Sequence, residues 1–166
     1  MVVYEGTYLN YKYTANTSDT DQRFIIPNDN VDTTTLTVKV QESSSDSTTN
    51  TYTLAAGITA LDSTSKVYFL QEGIDRKFEV YFGDGVVSAG LTDNNLVFLK
   101  YVVTNKSGAN GATTFTASGA IDGVTSVTVT TINSAKGGTE AESLESIKLN
   151  APLDFASQGR CVTAED

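Results

Sequence analysis

The chain contains no histidine and a single cysteine, Cys161. The commonest general acid/base and transition-metal ligand is therefore missing, and any chemistry would have to rest on carboxylates, tyrosines or that one thiol. Asp19 with Asp21, and Asp29 with Asp32, offer the closely spaced oxygens of a calcium loop. Neither pair has the glycine and terminal glutamate of an EF-hand loop, so both read as solvated turn carboxylates. Gly83-Asp84-Gly85 could contact a metal or a phosphate, but a phosphate cradle precedes a helix and here a β-prone run follows, so Gly83, Asp84 and Gly85 read as a tight structural turn. Gly137-Gly138 could present free N–H groups to an anion, yet Glu140 and Glu142 already occupy that positive end. Arg160 beside Cys161 would lower the thiol pKa; with no histidine to pair with, the residue reads as a half-buried structural thiol. Tyr4, Tyr8, Tyr11 and Tyr13 could form a sugar- or partner-binding platform, and strand packing explains them equally well. Two carboxylates can hydrolyse a glycoside without histidine, but nothing in the sequence places two acids together. No residue is assigned to catalysis, to a cofactor or to a metal.

The elements that would carry these residues are β-strands. Phe78, Val80 and Phe82 alternate with Glu79 and Tyr81, the period of a half-buried strand, and Asp84-Gly85 predicts a tight turn into a further strand. Leu36, Val38 and Val40 fall on one face of Thr35–Gln41, with Thr37 and Lys39 on the other. Leu96–Val103 is apolar on both faces, which predicts a central strand covered on both sides. Further strands are expected within Val2–Tyr13 with a bend at Gly6, over Phe24–Ile26, Thr51–Leu54 and Lys66–Gln71, and last over Thr113–Thr116 and Ser126–Thr131. The period of two then stops. Thr139 and Glu142 have capping-box spacing, Ala141, Leu144 and Ile147 line one helical face, and Asn150-Ala151-Pro152 is expected to end that helix. Thr163–Asp166 repeats the start signal at the end of the chain, as in a piece of a longer protein.

Composition narrows the function classes. Twenty acidic against eleven basic residues give a net charge of −9, which repels a phosphate backbone and an anionic membrane surface; neither nucleic acid nor membrane is expected as a partner. No apolar run approaches the ~18 residues of a spanning helix. One cysteine excludes an intrachain disulfide framework. Of the 166 residues, 39% are hydrophobic, enough for one modest core.

Several stretches then fall in the order and spacing of one family. Phe82-Gly83-Asp84-Gly85 after a strand, Gly137-Gly138-Thr139-Glu140-Ala141-Glu142-Ser143, Ala151-Pro152 and Arg160-Cys161-Val162-Thr163-Ala164-Glu165-Asp166 resemble the baseplate J-like family. Val31-Asp32-Thr33-Thr34-Thr35-Leu36-Thr37-Val38 resembles the family's entry strand. The pattern is similar in particular to the baseplate wedge proteins of T-even-type contractile-tailed phages, of which this chain would be an internal fragment. The resemblance covers the chain from about residue 24 to its end, and Asp154–Gly159 is less regular than the family pattern. It implies a non-enzymatic structural subunit of the virion's tail baseplate, assembled in the host cytoplasm. Such a subunit forms part of the ring around the tail hub and rearranges on contraction. Its partners would be other baseplate wedge proteins and copies of itself, with no small-molecule substrate and no cofactor.

The sequence thus leads to a mainly β fold: an antiparallel β-sandwich-like domain over 1–135, then over 136–166 a helical linker, with one short helix, and the start of the next, truncated α+β domain. Leu144, Ile147 and Leu149 are the expected interface residues. The competing reading is a carbohydrate- or receptor-binding β domain of a tail appendage; it would need a concave aromatic site, and the chain has no tryptophan.

Overall fold

Alternating side chains build seven strands: β1 (Thr7–Thr14), β2 (Phe24–Ile25), β3 (Val31–Gln41), β4 (Thr49–Leu54), β5 (Val67–Glu72), β6 (Phe78–Tyr81) and β7 (Leu96–Val103). They form one sheet in the order β1-β7-β3-β4-β5-β6-β2. The computed structural model describes residues 3–58, 61–73 and 75–157, in two compact units, the first ending at Asn105 and the second beginning at Lys106. The readings of Cys161 and of Thr163–Asp166 lie outside the described residues.

The first unit carries the whole sheet. Its pairs are antiparallel except β4 with β5, where Thr53 lies opposite Val67 and Leu54 opposite Tyr68 in parallel. The inward set comprises Val38 and Val40 on β3 and Val80 on β6, as their alternation marks, and Val97, Leu99 and Tyr101 on β7, which read as apolar on both faces, with Phe24, Ile26, Tyr52 and Tyr68. Each large apolar side chain fully buried here contributes roughly 1.5–3 kcal/mol. Instead of two separate layers, the single sheet curls until its first and last strands approach. The Tyr13 ring of β1 meets Phe24 of β2 edge-on at 5.5 Å, and the Tyr13 hydroxyl donates to the Ile25 carbonyl. The mainly β, largely antiparallel character is as expected, in the form of a nearly closed barrel. β7 is central, between β1 and β3, but only one of its faces is covered throughout: Lys100 on the other is exposed.

One irregularity has a chemical repair. Between Asp32 and Thr37 the register of β3 against β7 shifts. There the Thr35 hydroxyl accepts the Val102 N–H at 3.0 Å and donates to the Asp32 carbonyl at 2.7 Å. A side chain thus replaces the ladder partner that a bulge removes.

The second unit holds a 3-10 turn (Lys106–Ala109) and one helix, α1 (Leu144–Ser157). The strands expected over Thr113–Thr116 and Ser126–Thr131 are not formed. Among the described residues of this unit only Ile121 and Val124 bridge, around Asp122-Gly123, both of positive φ. None of the described residues of this unit is buried, and a two-stranded hairpin without an apolar layer beneath it is marginal. The helix also differs from its expectation. Ser143, not Thr139, caps it: its hydroxyl accepts the Ser146 N–H at 3.2 Å, and its carbonyl accepts the Ile147 N–H at 3.0 Å. Pro152 lies inside the helix, where it removes one backbone bond without stopping the chain of turns.

Candidate assembly surfaces

The chemistry-bearing residues do not converge. Among the described residues no group of three or more acidic, cysteine or histidine side chains could hold a metal ion. The acids instead act locally. The Asp62 carboxylate accepts from the Thr64 backbone and hydroxyl and from the Ser65 hydroxyl, which holds its pKa below the usual carboxylate value. Asp19 accepts the Asp21 N–H at 3.2 Å, and Asp32 accepts the Thr34 N–H at 3.0 Å. These are turn carboxylates closing their own loops.

Gly83, Asp84 and Gly85 lie in a loop that is wider than a two-residue hairpin turn. The Asp84 carboxylate accepts the N–H groups of Val86 at 2.9 Å and Val87 at 3.3 Å, and Gly85 N–H donates to the Ser88 carbonyl at 2.9 Å. Those backbone donations depress the Asp84 pKa. The strand expected to resume here does not form, because the donors a ladder would use are already taken by the carboxylate. The chain folds back until Gly90 bridges Gly83. A Cβ on Gly83 would stand 2.0 Å from the Ser88 hydroxyl and 2.9 Å from its carbonyl oxygen, so the close approach itself demands glycine.

Gly137-Gly138 is likewise a packing device. The Asn110 side chain clamps Gly138, donating to its carbonyl at 2.7 Å and accepting its N–H at 3.0 Å. A Cβ on Gly138 would fall 2.1 Å from the Lys106 carbonyl oxygen. Glu140 receives the Ser107 hydroxyl and stands 3.8 Å from Lys106 Nζ. Glu142 accepts from the Ser146 hydroxyl and the Asn150 amide. Both acids lie ahead of the first helical turn of α1, not within it, and hydrogen bonding to these hydroxyls lowers the pKa of each.

What remains unpartnered is apolar surface and strand edge. Leu144, Ile147 and Leu149 are 60%, 44% and 71% exposed. At 3.6 residues per turn, Leu149 lies ~140° round the helix from Leu144, while Ile147 stays near Leu144. Leu153 and Phe155 are exposed as well, so α1 carries apolar residues on more than one side. Ile132, 90% exposed, belongs to the same unit. Sequence reasoning missed Phe155 and Leu153 because Pro152 was read as the helix end. Ile132 carried a readable signal, as it closes a β-prone run.

The four tyrosines do not make one platform. Tyr8 points to the outer face of the sheet, 4.9 Å beneath Lys100 Nζ. Tyr11 and Tyr13 lie on the inner face with ring centroids 4.9 Å apart. Tyr11 is 42% exposed in spite of facing inward, because the seam beside β1 is open.

The sequence of residues 11–128 matches the family described as bacteriophage baseplate wedge protein gp6, third domain. The baseplate wedge protein gp6 of Enterobacteria phage T4 is 34% identical over 129 residues, an alignment that covers 63% of this chain and 19% of that protein. The match therefore spans less than a fifth of that curated relative's length.

Proposed function

The chain belongs to the family of the third domain of bacteriophage baseplate wedge protein gp6, and on that premise we propose that it is a structural, non-catalytic unit of a phage tail baseplate wedge. In this reading it works in the virion, within the ring around the tail hub, after assembly in the host cytoplasm. It holds other baseplate wedge proteins and copies of itself, and it takes part in the rearrangement that accompanies contraction. The barrel of the first unit supplies a rigid frame, and the second unit supplies adhesive surface.

One observation carries the proposal. None of the described residues from Lys106 onward is buried, while Ile132, Leu144, Leu149, Leu153 and Phe155 are exposed. A segment that buries so little apolar area cannot offset its own ordering entropy, and exposed apolar surface on this scale marks a surface covered by other protein. The test is Leu144→Asp with Ile147→Asp in the full-length protein of the phage. Burying a leucine or isoleucine side chain contributes roughly 1.5–3 kcal/mol, so replacing both with aspartate is expected to weaken association by more than about tenfold. The expected result is a protein with unchanged circular dichroism that yields particles with incomplete baseplates and few plaques. Normal baseplates and normal plating would overturn the reading.

A further inference from the structure

Charge is unevenly spread over the sheet. The first unit holds thirteen acidic residues against seven basic ones, yet three of the seven stand together on the outward face of β1, β7 and β3. In the ladder, Phe98 of β7 lies opposite Lys12 of β1 on one side and Lys39 of β3 on the other. Residues directly opposite share a face, so these three point away from the core to which Val38, Val40, Val97 and Leu99 turn. Lys100 is the next outward residue along β7 and is diagonal to both lysines, ~7–8 Å from each. Lys12 and Lys39, two strand spacings apart, are ~10 Å from one another. All three lysines are exposed, while Phe98 between them is half-buried.

The patch carries no counter-charge. The ion pairs among the described residues join Arg23 to Asp21 and Lys106 to Glu140, and neither includes these lysines. Every other outward position of β1, β4, β7 and residues 37–41 is uncharged. The acid at the margin is Asp32, opposite Val102 beyond the irregularity of β3, and its carboxylate already accepts the Thr34 N–H and hydroxyl. Lys100 Nζ rests over the Tyr8 ring at 4.9 Å. Like charges this close repel, a cost that an anionic partner would offset.

Resting on the reading of the chain as an assembly unit, we propose that this face docks an acidic segment of a different protein of the baseplate. An extended segment places the side chains of residues two apart ~6.8 Å from each other on one face, which matches the separation of Lys100 from either other lysine. Phe98 and the Tyr8 ring give the middle of the patch an apolar floor. Three cations on a chain of net charge −9 suit a few carboxylates at short range better than a polyanion, whose regular phosphates would meet the acids elsewhere on the surface.

The test starts from purified baseplates treated with a water-soluble carbodiimide, which joins an amine to a carboxylate in contact with it, followed by digestion and mass spectrometry. The expected result is an amide from Lys12, Lys39 or Lys100 to an aspartate or glutamate of a protein of different sequence. Links only to peptides of this same chain would overturn the proposal. So would acetylation of all three lysines as fast in the baseplate as in the free protein, or protection that nuclease removes. Lys12→Glu, Lys39→Glu and Lys100→Glu together, in the full-length protein, are expected to lower plaque yield tenfold or more with the barrel's thermal transition unchanged, whereas arginine at the same three positions keeps it. Equal yields of the glutamate variant and the parent, or an equal loss with arginine, would overturn the proposal; should the glutamate variant not fold, the carbodiimide result decides alone. If this face proves unoccupied while Leu144→Asp with Ile147→Asp still blocks baseplate formation, the assembly reading stands without it.

Discussion

At the residue scale, polar side chains in this protein stand in for backbone partners. Thr35 fills the gap that the β3 irregularity opens opposite Val102, a buried residue. Thr35→Val keeps the shape and deletes the oxygen, leaving the Val102 N–H without a partner. The expected cost is about 1–3 kcal/mol in urea unfolding, and an unchanged midpoint would mean that the hydroxyl is not the ladder's substitute. Asp84 does the equivalent for Val86 and Val87. Its pKa is lower in the folded protein than in the unfolded chain, so its contribution is fully present above the ordinary carboxylate range. That contribution is lost as pH falls below about 4 through the folded value. Thermal melts between pH 6 and 2.5 should show a shallower acid decline for Asp84→Asn than for the parent. Parallel curves would contradict the assignment.

At the scale of elements, the second unit is held by few and specific contacts. Gly138 fits against the Lys106 carbonyl only because it has no Cβ, and the Asn110 amide braces it from the other side. Gly138→Ala is expected to separate the Lys106–Ala109 turn from the segment leading to α1. Trypsin should then cut after Lys136 several-fold faster, with the barrel's own melting unchanged; an unaltered cleavage rate would show that the clamp does not hold the segment. α1 shows how a local signal misleads. Thr139 and Glu142 have the spacing of a capping box, yet their segment is drawn toward Asn110 and Lys106, and the cap passes to Ser143. Pro152 looked like a stop, but a proline inside a helix forfeits one backbone bond rather than the helix.

At the scale of the whole molecule, the mainly β character was legible because alternation depends only on neighbours in sequence. Val38, Val40 and Val80 were marked as inward residues by that alternation and all are buried, whereas on β7, apolar on both faces, it did not single out Val97 and Leu99, which are buried too. What was not legible depends on partners distant in sequence. The parallel match of β4 with β5, and the approach of Tyr13 to Phe24 that nearly closes the sheet, follow from curvature and not from any local run. Ser126–Thr131 has the pattern of a strand, but pattern cannot supply the strand it would pair with. For the candidate surfaces, Leu144, Ile147 and Leu149 could be named from the sequence as apolar residues of a polar segment. The open seam at Tyr11 and the exposed Phe155 needed coordinates. In the proposed function this exposed apolar set is adhesive surface covered on assembly. A cryo-electron microscopy map of the assembled baseplate tests it most directly. Leu144, Ile147, Leu149, Ile132 and Phe155 should each lie against protein, and a map in which they face solvent would contradict the claim.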